Sequence, residues 1–346
     1  MPRGNPFLFL KRWTALLCVA VSTLSCALDS VGAALGHGND PNRIRIMTWN
    51  TQTFFDDQEC GREFDEFRGG ESRWNAEKYE GRLNRLRDTL LQAGKKLGMG
   101  SDRGPDIVAL QEIENTRVLR DICNRMPALG AYSHAAFVPP TAEGAFGVAL
   151  LSKYPIRSVT AHTPHVASVS VRPLLQATLD TPLGPLALFV VHWKSKVGET
   201  AAPSETAPPS VRYAQEGTLS ACIEKLRGDC PEVPYIVCGD FNCGPGESAL
   251  LGALPGIWER YGDDGGSYWY SGSWERIDNI LWSDTLESGH GDSSGGGLWT
   301  VSRSFPLNDP PLTDAGSRPR PYRIGTDGGY SDHLPLLAEL TLDKRP

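Results

Sequence analysis

The chain has 346 residues, 40% of them hydrophobic, which is enough for a substantial core and excludes a disordered chain. Its formal net charge is −7, with no basic arm and no Lys/Arg run. That argues against nonspecific electrostatic capture of nucleic acid, yet permits phosphate contacts through a few local cations or a metal.

Arg3, Lys11 and Arg12 make a basic start, Ala15 to Leu24 is a short apolar run, and Ser25-Cys26-Ala27 supplies small residues. This is the pattern of a secretory signal, too short to span a membrane. Residues 1–26 are expected to be removed, which strips those three cations and no acids and takes −7 to −10. Cleavage before Cys26 would leave that residue as a lipid anchor. Thr23-Leu24-Ser25-Cys26 loosely resembles a bacterial lipobox, with Thr23 where Leu is usual, and cleavage after Ala27 is the alternative. The expected product is an exported bacterial monomer without a transmembrane helix, whether periplasmic, surface-anchored or secreted. Residues 27–42 read as a Gly/Ala/Asn-rich tether and 43–346 as one folded domain.

Residues 43–48 alternate as a strand does and end at Trp49-Asn50. A polar loop over 53–72 leads to a helix from Trp74, with Tyr79, Leu83, Leu86 and Leu90 on one face and Arg82, Arg85 and Arg87 between them. A buried strand at 106–110 ends at Gln111-Glu112. Further strands are expected at 147–151, 172–179 and 186–191, the last ending at His192-Trp193-Lys194. A loop at 195–210 precedes a second amphipathic helix marked by Val211, Ala214, Thr218, Cys222 and Leu226. The next strand, 235–240, runs into Gly239-Asp240-Phe241-Asn242. Residues two apart on an extended chain point to one side, so Asp240 and Asn242 can face one pocket. Residues 276–282 alternate around Asp278, stretches 284–297 and 305–329 read as loops, and Ser331-Asp332-His333 precedes a last strand at 336–342. Among six cysteines beyond Cys26, Cys222/Cys230 and Cys238/Cys243 are near enough in sequence to be disulfide candidates, and no zinc spacing occurs.

Strand after strand thus ends in a polar group capable of chemistry: Asn50, Glu112, His192, Asp240 with Asn242, and Asp332 with His333 before a strand. Five such ends point to one pocket at a sheet rim. Glu112 and Asn50 offer the hard oxygen ligands that Mg²⁺ prefers. The histidines suit phosphate contact or proton transfer near neutral pH. Asp278 can orient one imidazole, and Asp240 can take a proton from an attacking water.

Met47-Thr48-Trp49-Asn50, Asp106 to Glu112, Gly239 to Asn242, Arg276-Ile277-Asp278 and Ser331-Asp332-His333 come in the order found in the endonuclease/exonuclease/phosphatase superfamily, which the chain resembles over about 43–342. The resemblance implies a four-layered α/β sandwich with two packed mixed β-sheets flanked by helices. It also implies metal-dependent hydrolysis of phosphate esters, with Mg²⁺ as the ion and Mn²⁺ as the alternative. Carried over to this chain, Glu112 is the main metal ligand, Asn50 its neighbour, and Asp332 flanks the metal or a histidine. Asp240 activates water, Asn242 orients it or the phosphate, Asp278 pairs with His333, and His192 contacts phosphate or leaving group. The substrate implied is a phosphodiester, nucleic acid first. The rivals are a sphingomyelinase-like or inositol-phosphate activity and a catalytically silent binding protein on the same fold. Three matters depart from the family pattern or stay open. Glu143 is the one candidate acid for pairing with His192. Arg172, Lys194 and Lys196 are either phosphate contacts or surface charges. Tyr268, Trp269, Tyr270 and Trp274 read first as core packing and second as a stacking surface for bases or sugars.

Overall fold

Burial on both faces of the central strands is what layers this chain. The computed structural model describes residues 22–25, 40–69, 73–141, 144–166, 171–196, 211–262, 265–291, 297–325 and 328–344. Most of the expected leader and tether, and Glu143, lie outside the described residues.

In chain order the elements are β1 (Ser22–Ser25), β2 (Arg43–Phe54), α1 (Ala76–Lys96), β3 (Ile107–Ile113), α2 (Thr116–Arg125), β4 (His134–Val138), β5 (Gly147–Ser152), β6 (Ile156–His162), β7 (Leu174–Thr181), β8 (Gly184–His192) and α3 (Val211–Asp229). There follow β9 (Tyr235–Asp240), α4 (Ala249–Ala253), α5 (Ile257–Tyr261), β10 (Tyr268–Tyr270), β11 (Ser273–Glu275), β12 (Asp278–Trp282), α6 (Asp284–Ser288), β13 (His290–Gly291), β14 (Gly297–Pro306) and β15 (Leu336–Lys344). One sheet has the order β1-β4-β5-β3-β2-β15-β14-β13 and the other β12-β9-β8-β7-β6, while β10 and β11 form a separate hairpin. Both large sheets are mixed, because β2 runs parallel to β3 and β8 parallel to β9 while their other neighbours are antiparallel.

Alternation assigns each side chain to a layer. On β2, Ile44 and Ile46 enter the cluster between the sheets, while Met47 and Trp49 join the cluster with Leu83, Leu86 and Leu90 of α1. On β9, Ile236 and Cys238 point between the sheets, and Val237 packs with Leu219 and Ile223 of α3. The result is helix, sheet, sheet, helix, the four-layered α/β sandwich that the family resemblance implies.

Several elements escaped the sequence reading. β4 is short, with two alanines among its five residues, β6 is an edge strand with exposed polar positions, and β14 carries a register break between Val301 and Arg303 that spoils its alternation. α2 was missed too, although Asn115 caps it by accepting hydrogen bonds from the Arg117 and Val118 N–H groups. α6 and β13 fall in the stretch read as a loop at 284–297.

The disulfide candidates are not realised, since Cys60, Cys123, Cys222, Cys230, Cys238 and Cys243 are all free thiols. Cys238 faces the inter-sheet core and Cys243 the α3 side. Cys222 and Cys230 are eight residues apart on one helical run, about 12 Å, beyond the roughly 7 Å a disulfide tolerates. β1 falls inside the expected leader and pairs antiparallel with β4, so a mature chain starting at residue 27 would have β4 as its sheet edge. No helix among the described residues is long and apolar enough to cross a membrane.

Candidate active site at the rim of the two sheets

The neighbouring parallel strands β2 and β3 both lose register at the same level, between Asn50 and Phe54 on one and around Glu112 on the other. Such bulges re-aim side chains. Among the described residues, four of the six non-glycine positions with positive φ gather here: Gln52, Thr53, Glu112 and Asn242. Each costs on the order of 1–3 kcal/mol, so surrounding contacts must hold them.

Those contacts are explicit. Glu112 Oε2 accepts the Thr53 N–H at 2.6 Å, and the Asn50 amide Nδ2 donates to Glu112 Oε1 at 3.2 Å and to Asp240 Oδ2 at 2.9 Å. Asp240 Oδ1 accepts the Asn242 N–H at 2.8 Å, and Asn242 Nδ2 donates to the Trp193 carbonyl at 3.0 Å. Gly239 fits β9 against β8, because at its φ of +136° a Cβ would overlap the Val191 carbonyl.

On the other side His333 Nδ1 lies 2.7 Å from Asp278 Oδ2. Ser331 Oγ donates to the Asn50 carbonyl and accepts the His333 N–H, and Trp49 Nε1 donates to the His333 carbonyl, which ties 331–333 to β2. Burial alone would lower the His333 pKa, but the Asp278 charge and hydrogen bond outweigh it and raise the value well above normal. His333 is therefore the cationic imidazole.

His192 differs. Its Nε2 is 3.7 Å from both Glu112 Oε1 and Asp240 Oδ2, and 3.1 Å from Arg172 Nη1. A guanidinium only donates, so Nε2 accepts and the proton belongs on Nδ1, which is buried without a partner among the described residues. Burial, then the Arg172 and His333 charges, push the His192 pKa well below normal, so this imidazole is neutral.

Asp240 stands between the two histidines, its Oδ2 4.0 Å from His333 Nε2. Burial and the neighbouring Asp278 charge raise its pKa to about 7. Asp332, with Oδ1 3.9 Å from His333 Nε2, is also raised, first by burial. Asp240 and Asp278 are sealed in, whereas the side chains of Glu112 and Asp332 keep 19% and 32% exposure. Thus the carboxylates divide into a buried pair and a pair at the mouth.

The structure brings Asn50, Glu112, His192, Asp240, Asn242, Asp278, Asp332 and His333 to one rim. Arg172 joins them, also donating to the Trp193 carbonyl at 2.9 Å. Lys196 is paired with Glu247 at 2.7 Å, and Lys194 Nζ lies by the Ser195 carbonyl. The aromatic run is a hairpin rather than core. Tyr268 packs on the His333 ring at 4.7 Å, Tyr270 stacks beyond it and is exposed, and Trp269 and Trp274 pair edge to face.

Two supporting residues were missed. Arg82, read as one of the polar positions of α1, is buried and donates to the carbonyls of Thr51, Gln52 and Thr53 at 2.7, 2.6 and 2.8 Å. Its guanidinium lies between Phe54 and Tyr322, 4.4 and 4.0 Å from the ring centroids. Its place three residues after Tyr79 and four before Leu86 was the available signal, since that spacing is the buried face. Gln52 Oε1 accepts the N–H groups of Tyr322 and Asp332, joining β2 to the C-terminal loop. No sequence signal marks it.

Residues 47–333 match the model of the Endonuclease/Exonuclease/phosphatase family. A search of curated proteins finds no match. Among solved structures, truncated Caenorhabditis elegans TDP2 is similar at 16% identity and TM-score 0.52, over 86% of this chain and 98% of that one. The human Nocturnin catalytic domain is similar at 17% identity and TM-score 0.51, over 87% and 94%. An endonuclease/exonuclease/phosphatase family protein from Bacteroides thetaiotaomicron is similar at 15% and 0.52, over 87% and 98%. With the family match spanning most of the domain and the fold agreeing, this chain belongs to the endonuclease/exonuclease/phosphatase family.

Proposed function

We propose that this chain is a metal-dependent phosphodiesterase that hydrolyses nucleic-acid strands by attack of water, with Mg²⁺ as its ion and Mn²⁺ as the alternative. The observation that carries the reading is Asp240, a buried carboxylate between two imidazoles and hydrogen-bonded to the Asn50 amide that also holds Glu112. The donor set fits a hard divalent cation: Glu112 and Asp332 are partly exposed oxygen donors at the mouth, the side-chain Oδ1 of Asn50, which accepts the Gln52 N–H, is a third, and water and phosphate would fill the remaining positions. Burial, and after it neighbouring carboxylate charge, raises the pKa of both Asp240 and Asp332, and a bound cation would offset that charge. Asp240, Asp278 and His333 also bring ligand atoms within 4.8 Å of one another, but there the imidazole Nδ1 already holds Asp278. When bound, the ion would polarise a phosphoryl oxygen and offset its charge.

The chain's own residues supply the rest. Asp240, with a pKa near neutrality, takes a proton from water as general base. The Asn242 N–H fixes the opposite carboxylate oxygen, so Oδ2 faces the pocket. Cationic His333, held by Asp278, and the Arg172 guanidinium hold the phosphate oxygens and stabilise the charge that grows on them. Neutral His192 would contact the phosphate or leaving-group oxygen with its proton moved from Nδ1 to Nε2, which frees Arg172 for the phosphate.

Nucleic acid is favoured by the Tyr268–Tyr270 stack leading away from His333, since aromatic faces suit unpaired bases. Danio rerio TDP2, of the same fold, has been crystallised with a single-strand DNA product. Export with removal of 1–26, or lipid anchoring through Cys26, completes the reading. It rests on the basic start and apolar run, and palmitate labelling lost in Cys26→Ala tests the anchor.

The test is hydrolysis of single-stranded DNA, plasmid DNA, RNA, sphingomyelin, inositol phosphates and bis(4-nitrophenyl) phosphate with Mg²⁺, Mn²⁺ or EDTA. Metal-dependent cleavage led by nucleic acid is expected. Faster turnover of sphingomyelin or an inositol phosphate would replace the substrate class, and no turnover of any would leave a binding protein.

A further inference from the structure

Next to the metal-facing rim lies a cleft of about 840 Å³ between the loop after β2 and the loop before β15. The volume is that of a site for a molecule with one or two rings. The cleft opens directly off the candidate active site: Gln52 and Thr53 line it, and the Thr53 N–H is the one that holds Glu112 Oε2. Its floor is aromatic. Phe67 and Tyr322 are buried there, whereas Phe64 stays 47% exposed although its ring is held edge to face against Phe55 at 5.6 Å and Phe146 at 5.7 Å. A large apolar side chain that is fixed by its neighbours and still presented to a cavity is a surface for another ring. The cleft's described lining residues carry Arg68, Arg73 and Arg323 with Asp65 and Glu66, a sum of one positive charge, and Arg68 is paired with Asp65.

Resting on the phosphodiesterase reading, we propose that this cleft is a second substrate subsite. It takes the nucleotide flanking the scissile bond, with an unpaired base against Phe64 and the next phosphate at Arg73 and Arg323. Three observations converge on that ligand. The cleft shares residues with the reaction rim, so what enters it is continuous with the reacting phosphate. Guanidinium groups suit phosphate oxygens, and an exposed ring suits a base of any sequence. The chain as a whole is acidic, so a duplex backbone finds no basic track over the surface, whereas a single strand needs only this local patch.

The experiment separates binding from turnover. A fluorescein-labelled single-stranded ten-nucleotide DNA is titrated by anisotropy in EDTA against wild type, Phe64→Ala and the double variant Arg73→Ala/Arg323→Ala. Hydrolysis of bis(4-nitrophenyl) phosphate, which fills only the reaction rim, is followed in Mg²⁺ or Mn²⁺. The expected result is a Kd raised about tenfold in each variant, the cost of one lost base stack or a comparable loss of phosphate contacts. In the arginine variant the slope of log K against log salt should flatten by about 0.7 for each phosphate contact removed. Small-diester kcat/KM should stay at the wild-type level in the arginine variant, which also shows that it folds. Equal Kd values in wild type and both variants, no binding to wild type, or a blunt duplex bound as tightly as the single strand would each overturn the subsite. Absence of metal-dependent small-diester hydrolysis would instead overturn the phosphodiesterase reading, and the anisotropy result would still decide what the cleft binds.

Discussion

Replacing Arg82 by Met tests whether the strained end of β2 is held from behind. Three charge-assisted hydrogen bonds of 2.6–2.8 Å end on consecutive carbonyls, and two of those residues, Gln52 and Thr53, have positive φ. A hydrogen bond to a charged group contributes about 1.5–3 kcal/mol, and the bonds share one side chain, so their losses do not add in full. Arg82→Met keeps much of the packing on Phe54 and Tyr322 but leaves the carbonyls without their donor. A stability loss of about 3–4 kcal/mol in urea is expected, at the upper end for a single substitution. The functional effect passes through Thr53, whose N–H orients Glu112. Misplacing that carboxylate by about 1 Å should cost about a hundredfold in kcat/KM on bis(4-nitrophenyl) phosphate, borne mainly by kcat. Arg82→Lys should be intermediate, because an ammonium keeps the charge but loses the planar fork and the stacking. Activity is to be normalised to folded protein, well below the unfolding midpoint, so that a purely structural role would show lost stability and normal turnover. A variant within threefold of wild type in kcat/KM would refute the positioning argument.

Glu112→Gln keeps size and removes charge, so kcat/KM should fall at least about a hundredfold with the fold intact, and hydrolysis by wild type that survives EDTA would sink the metal reading. Asp278→Asn removes the charge that raises the His333 pKa above its usual 6.5. The sign follows: the pair's contribution to stability is full below pH 6.5 and fades as pH climbs through the raised folded value, so the variant's deficit, about 2 kcal/mol, should be largest on the acid side and shrink at alkaline pH. Its kcat/KM profile should lose the alkaline limb first, and the double variant with His333→Ala should be little worse than His333→Ala alone; additive losses with an unmoved limb would show that the two residues act separately. Gly239→Ala combines a φ of +136° with overlap on the Val191 carbonyl, so a loss of more than about 3 kcal/mol is expected, and a melting curve like that of wild type would contradict it.

How much of this was legible beforehand depends on what kind of interaction fixes each residue. The layers were readable because alternation is local: Ile44 and Ile46 against Met47 and Trp49 already assign two faces before any partner is known. The rim was readable for a related reason, since Asn50, Glu112, His192 and Asp240 each end or nearly end an apolar run, and parallel neighbours bring such ends to one edge. β6 and β14 were not, because an edge strand and a bulged strand lack the period by which strands are recognised. The spacing of Arg82 marks it as buried but not what it holds, and Gln52 carries no mark at all, for a deeper cause. Their roles are set by carbonyls and amides that become available only when β2 departs from regular geometry and the loop carrying Tyr322 closes over it, 270 residues away in sequence. The two imidazoles make the same point in charge rather than shape. In sequence His192 ends a strand and His333 precedes one, and neither position states a charge. Packing gives His333 a carboxylate at 2.7 Å whose charge outweighs burial and makes it a cation, whereas burial, and then a guanidinium at 3.1 Å, keep His192 a neutral acceptor. The different charge states of the two imidazoles are therefore fixed by tertiary packing.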